Sequence, residues 1–247
     1  RKQKGKNSFR RRFEEFWRVL VKECEGDLLY DEDNSGGHYS VELSETFEKL
    51  FNYVIAIGGK APRSARVAGT IAGLELVCGL LDAVVPQVDA RSTAERQLAA
   101  LEKGSKSKSS AKAMRVQLEK TQDIAHKKIQ TLQEGMNKLF IGVFAHRNRD
   151  VDASLRAYCM QLLAKWIYSY PDYFLKDTYL KYLGWMINDK DESDRLAAVS
   201  SLTSMYESLG DYKSSLEAFT LRFEARYLQL CMDVSGPVAT EAIALLG

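Results

Sequence analysis

The sequence predicts an all-α fold, a solenoid of stacked helical repeats carrying a protruding pair of long helices. Three observations predict it. Only four prolines occur in 247 residues, and Leu, Ala, Lys, Glu and Arg are plentiful; these side chains lose little rotamer freedom in a helix. A helical segment recurs at a fixed offset late in the chain. A long polar stretch, poor in aromatics, separates two apolar-periodic regions. With 45% hydrophobic and 28% charged residues, the chain has ordinary globular chemistry and enough length for one large domain or a stretch of solenoid.

The elements follow in order. Phe9, Phe13, Phe16, Leu20 and Cys24 fall on one face of a first helix, expected to be capped near Asn7 or Ser8 and preceded by a flexible basic tail over 1–7. The run from Asp31 to Gly37 (DEDNSGG) reads as a polar loop. A second helix turns Leu43, Phe47, Leu50, Phe51 and Val54 inward and stops at Gly58-Gly59. Pro62 opens a third, with Val67, Ile71, Leu74, Leu81 and Val85 apolar and Arg63 and Arg66 in its first turn. Basic residues there oppose the helix dipole, which argues against a purely stabilising role. These helices fill 8–88. From 89 to 135 the texture is polar, with a break at Gly104-Ser105 and Ser107–Ser110, and predicts the protruding pair with a mobile tip.

Over 136–247 short amphipathic helices repeat. Asp152-Ala153-Ser154-Leu155-Arg156 through Leu163 matches Asp191-Glu192-Ser193-Asp194-Arg195 through Leu202 at an offset of 39, and Val238–Leu246 echoes the same helix. That period is the one expected of HEAT repeats, whose helix pairs cannot close a core alone and must stack. The apolar run Ala244-Leu245-Leu246-Gly247 ends without a cap, so the expectation is a fragment of a longer solenoid.

Catalytic and metal chemistry find no support. There is no phosphate loop of Walker or Rossmann spacing, no GxSxG and no HExxH. His38, His126 and His146 lie in unrelated segments, and His146 reads as a packing residue at a helix end. Asp189, Asp191 and Asp194 lack the glycine turn and terminal Glu of a calcium loop and fit repeat-turn caps. Cys24, Cys78, Cys159 and Cys231 are dispersed and read as reduced thiols of a cytosolic or nuclear protein. No apolar run approaches the roughly 20 residues of a bilayer span, so a soluble, intracellular, non-enzymatic protein without cofactor, metal or membrane partner is expected.

Charge is segregated beneath a net +2. Seven Lys or Arg and no acid lie in 1–12, seven acids and no Lys or Arg in 27–48, and basic residues dominate again over 103–128. Phosphate contacts need only suitably spaced cations on a rigid surface. Lys2, Lys4, Lys6, Arg10, Arg11, Arg12, Lys60, Arg63 and Arg66 are therefore the candidate contacts to double-stranded DNA; a solvated basic face is the competing reading. Trp185, Phe219, Arg222 and Phe223 are anchors of the kind that dominate docking hot spots. The last three share one helical face, and the residues alone fit a repeat core as well as a groove.

The blocks Phe140–Asp150 (FIGVFAHRNRD) and Tyr179–Trp185 (YLKYLGW), with the intervening segment, closely resemble the conserved domain of the stromal-antigen (stromalin) family, the HEAT-repeat subunit of cohesin. The resemblance extends from about Ser8 to Gly247 and makes 136–247 the stromalin conservative domain. It implies DNA contact for the Arg10–Arg12 cluster, Arg63 and Arg66, with Lys60 a weaker match. It also implies a groove for short aromatic motifs of the kleisin subunit and of chromatin regulators, with Trp185, Phe219, Arg222, Phe223 and Arg149 as docking residues. Cohesin loader and release or protection factors, a nuclear and chromosomal location, and roles in sister-chromatid cohesion and chromosome looping follow from the same resemblance. Two departures stand out: Ala218 precedes Phe219 where the family often has Leu, and Asn148 occupies a tyrosine position, which makes one wall of the groove shallower. The family's main kleisin contact falls largely on repeats beyond Gly247. The alternative from another class is a protein-only HEAT scaffold in transport or trafficking.

Overall fold

The computed structural model describes residues 2–33, 39–103, 108–208 and 210–247. Among the described residues the chain is all-α apart from one hairpin. In order come α1 (Lys2–Cys24), β1 (Tyr30–Asp33), β2 (Ser40–Leu43), α2 (Glu45–Gly58), α3 (Arg63–Lys103), α4 (Lys108–Leu139), a π-helical segment (Phe140–Phe144), α5 (Ala145–Arg147), α6 (Ala153–Ser169), α7 (Pro171–Phe174), α8 (Asp177–Met186), α9 (Glu192–Ser208), a 3₁₀ turn (Gly210–Tyr212), α10 (Lys213–Leu230) and α11 (Gly236–Leu246). They form two compact units, Arg1–Val143 and Phe144–Gly247.

In the first unit α3 is the spine. Its stretch from Ile71 to Val84 is almost wholly buried against α1, α2 and α4, and each large aliphatic side chain removed from water contributes roughly 1.5–3 kcal/mol. One window of α3 is apolar enough to cross a membrane by length and composition, contrary to the expectation that no run comes close. Most of that window is buried inside the unit, so its apolar side chains serve helix packing. At Pro86 the helix loses the N–H that would bond the preceding turn. Val85, expected to point inward, is exposed beside it, and beyond Pro86 Ala94 is the buried hydrophobic residue of α3 among those described. There α3 and α4 continue as an antiparallel pair, bonded from Gln122 to Glu95 at 3.3 Å and paired between Arg115 and Glu102 at 3.7 Å. The boundaries expected at 88/89 and 135/136 thus fall inside continuous helices. Gly104 to Ser107 of the expected tip lie outside the described residues.

The first helix differs from expectation in start and in face. It begins at Lys2, where the sequence suggested a tail and a cap near Ser8; Gln3, Lys4 and Lys6 are all good helix formers. Phe9 and Phe16, expected inward, are 72% and 53% exposed, while Val21 is fully buried. The reason lies on α3. Gly79 leaves room for Val21, since a Cβ there would meet the valine side chain at 2.8 Å, and buried Glu75 takes the guanidinium of Arg18.

The first three residues of the expected polar loop, 31–33, belong to a strand. Tyr30, Asp31, Glu32 and Asp33 of β1 pair antiparallel with Leu43, Glu42, Val41 and Ser40 of β2, so Leu43 belongs to a strand and not to the second helix; 34–38, including His38, lie outside the described residues. The hairpin buttresses α4. Thr131 donates to the Val41 carbonyl at 2.9 Å, Lys127 to the Tyr39 carbonyl at 2.6 Å, and Lys128 pairs with Glu32 at 2.7 Å. Ser44 caps α2 by accepting from the Phe47 N–H at 3.3 Å.

The second unit is the repeat. Asp150, Asp189 and Asp233 stand at equivalent turns, each accepting the N–H two residues on at 2.9 Å. Asp152 and Asp191 then accept from Ser154 and Ser193, backbone and hydroxyl alike. Helix α9 packs on α6, and α11 on α9. Buried arginines stitch these layers. Arg156 donates to Asp189 at 3.0 and 2.9 Å and to Asp194 at 2.7 Å, and Arg195 to Asp233 at 2.8 and 2.7 Å. The offset of 39 seen in the sequence is the spacing of the first two turns, Asp150 and Asp189, and of Arg156 and Arg195; the third turn, at Asp233, comes 44 residues after the second.

Candidate functional site

Candidate DNA-contacting residues gather at one end of the first unit. Helices α1 and α3 run parallel, because the contacts Arg18 to Glu75 and Val21 to Gly79 advance in the same direction along both. Arg10–Arg12, ahead of Arg18 on α1, and Arg63 and Arg66, ahead of Glu75 on α3, therefore lie on the same side of these contacts. Helix α2 returns to that end, where Gly58 and Gly69 cross so closely that a Cβ on Gly69 would collide with the Gly58 backbone. The crossing sets Lys60 beside the start of α3. Arg10, Arg11, Arg12, Lys60 and Arg63 are exposed, and Arg66 is half-buried and donates to the Ala61 carbonyl. Acids interleave: Arg10 pairs with Glu14 at 2.8 Å, and Glu14, Glu15 and Asp82 share a cleft with Arg11, Arg18 and Lys22. Lys2, Lys4 and Lys6 fall in the first turns of α1, but their side chains lie outside the described residues.

The aromatic site belongs to the second unit and is built on α8 and α10. Trp185 of α8 is 48% exposed, and the Arg149 guanidinium lies over its ring, 5.1 Å from the centroid. Lys181, one turn earlier, sits 5.6 Å from the same centroid. Tyr182 meets Trp185 edge-on at 5.3 Å and Phe144 at 5.1 Å, so Phe144 sets the floor under Tyr182. Phe223 of α10 packs on Gly184, where a Cβ would collide with its ring. Arg222 is exposed and pairs with Asp177 at 3.1 Å.

Phe219 corrects the expectation. It is fully buried, with its ring 4.8 Å from that of Phe223, so it backs the surface and cannot line it. Asn148 is also buried, its amide donating to the Phe144 and Ala145 carbonyls at 2.9 Å each. A polar group there is spent on the helix end. His146, expected to pack, is exposed. Among the described residues no group of His, Cys, Asp and Glu is arranged to hold a metal.

Compared with known proteins, residues 1–123 match the STAG domain and residues 149–224 the stromalin conservative domain. The chain belongs to the stromal-antigen family. This stromal-antigen chain is 37% identical, over its whole length, to sister-chromatid cohesion protein 3 of Arabidopsis thaliana, covering 21% of that protein. It is 32% identical over 96% of its length to human cohesin subunit SA-3, covering 18% of it. It also resembles the solved structure of cohesin subunit Scc3 from Z. rouxii, with a TM-score of 0.79 and 26% identity, over 95% of this chain and 25% of the other. The stromal-antigen chain thus spans about a fifth of the length of the curated relatives it matches. The two matched domains flank the division between its compact units.

Lys181 and Lys190, near Trp185, were missed in the stromal-antigen sequence. Lys181 lies four residues before Trp185, a spacing that places two side chains on one helical face; Lys190 carries no such signal, because only the turn brings it near.

Proposed function

We propose that this chain is the non-catalytic DNA-binding and partner-docking part of a nuclear cohesin subunit, serving sister-chromatid cohesion and chromosome looping. The observation that carries the reading is the convergence of Arg10–Arg12, Lys60, Arg63 and Arg66 at one end of the first unit. Cations on a rigid helical base, all but the half-buried Arg66 exposed, suit duplex phosphates and give affinity without sequence readout. Four to six such contacts correspond to a salt slope of about −4 to −5.

The second part of the proposal is docking of the kleisin and of regulators that load, release or protect cohesin, at Trp185, Arg222, Phe223 and Arg149. The partial exposure of Trp185 under a guanidinium supports it, because a core tryptophan would be covered.

Fluorescence anisotropy with a random duplex tests the first part, titrating salt for the native chain and an Arg10/Arg11/Arg12→Glu variant. A steep slope that flattens in the variant is expected. Salt-insensitive or absent binding removes DNA contact and leaves a protein-only scaffold.

A further inference from the structure

Ser64 stands among the cations at the end of the first unit. Lys60 lies four residues before it, Arg63 one before and Arg66 two after. Residues 59–64, which join α2 to the start of α3, are all exposed, and the Ser64 hydroxyl has no hydrogen-bond partner among the described residues. A protein kinase takes its substrate as an extended strand, and the irregular turn ahead of Arg63 supplies one next to the hydroxyl. Ser8, also exposed beside a basic run, is the seventh residue of α1 and has regular helix on both sides.

Position matters as much as access. Ser64 is the second residue of the 41-residue α3, whose first turn holds no acid while its two arginines oppose the helix dipole. A phosphate at that point meets the free N–H groups of the helix end and the guanidinium groups of Arg63 and Arg66, a setting in which phosphoserine forms new charge-assisted hydrogen bonds. The cations it engages are those offered to DNA.

We infer that Ser64 is a phosphorylation site for a basophilic serine/threonine kinase, and that its phosphate switches off this end of the duplex-binding surface by claiming Arg63 and Arg66. Ser64 Oγ attacks the γ-phosphorus of ATP as the bond to the β-phosphate oxygen breaks; ADP leaves, and the hydroxyl proton passes to the kinase's catalytic carboxylate. The inference rests on the DNA-binding reading above and adds its regulation. Phosphoserine carries about −1.5 to −2 charges near pH 7, so it offsets about two of the cations.

The test treats the intact chain with the catalytic domain of protein kinase C and ATP, maps the phosphate by mass spectrometry, and follows anisotropy of a random duplex across salt. Phosphate should appear on Ser64. The salt slope should become shallower by about 1.8, and affinity at 0.1 M salt should fall roughly fiftyfold, for two contacts at about 0.9 each. Ser64→Ala, treated in the same way, should keep its duplex affinity, and Ser64→Asp, which adds one charge without any kinase, should lose roughly eightfold. Circular dichroism checks the fold; the exposed Ser64 side chain has no packing to lose.

A chain that takes no phosphate on Ser64, or that takes it and binds duplex as before, overturns the inference while DNA binding stands. An equal loss in the treated Ser64→Ala variant also overturns it, as does a loss accompanied by unfolding. An untreated native chain that fails to bind duplex at low salt removes the DNA reading and the inference together.

Discussion

Arg195 grips Asp233 through two parallel hydrogen bonds of 2.8 and 2.7 Å, repeating one helical layer later what Arg156 does to Asp189. Both arginines are buried and each also donates to a turn carbonyl, Arg156 to that of Asp150 and Arg195 to that of Asp189. Removing one partner leaves the other charge buried and unpaired, at a cost of about 3–5 kcal/mol. Arg195→Met should therefore destabilise the second unit by that order in urea unfolding. An Arg195→Met, Asp233→Leu double variant should recover much of it, and a double variant as unstable as the sum of the singles would show that the pair is not coupled.

Asp194 is fully buried, with one oxygen on Arg156 and the other without a hydrogen-bond partner among the described residues. Burial, opposed by Arg156 and reinforced by Asp189 and Asp191, pushes its carboxyl up to about 6. A folded value above the ordinary 3.8 means that the native state binds more protons between those two pH values. Stability from this group is then greatest near pH 4 and falls as pH rises through 6. Asp194→Asn should remove that slope and cost little at pH 7.5. Thermal unfolding across pH 4–7.5 decides it, and a variant whose slope matches the native chain would refute the assignment.

Gly184 is open to substitution only if Phe223 moves, because a Cβ would enter the phenyl ring. Gly184→Ala should cost roughly 1–3 kcal/mol by overpacking and weaken binding of a Phe-bearing peptide at the Trp185 groove, while leaving duplex binding by the first unit unchanged. Parallel titrations with peptide and duplex would expose a general unfolding effect as a loss of both.

Phe16 is mostly exposed, whereas Phe51 is fully buried between helices of the same unit. Phe16→Ser should change stability by less than about 0.5 kcal/mol, against about 3–5 kcal/mol for Phe51→Ala. Comparable losses in denaturant unfolding would restore the face of α1 first suggested by its apolar spacing.

Local rules made much of this legible. The Asp-x-Ser-x-Arg repeat at an offset of 39, the Gly58-Gly59 stop and Pro62 at the start of α3 all carry their signal within a few residues. The Trp185 site was half legible: an aromatic and an arginine in a signature run announce themselves, but whether each side chain is covered depends on neighbours far along the chain. Phe219 and Phe223 share a helical face, yet one is sealed in the core and the other packs on Gly184 at the surface.

By itself the sequence determined an all-α repeat protein with segregated charge, because helix propensity, periodicity and capping act over a handful of residues. The tertiary structure alone decided which face of α1 is buried, since Gly79 and Glu75 of α3 select Val21 and Arg18 over a stripe of phenylalanines. It decided that acidic residues 31–33 form a strand, tied to α4 through β2 and Lys128. It also decided that Lys190 borders the Trp185 cleft. Each of these depends on contacts between residues distant in sequence, whose packing and charge pairing no local pattern encodes.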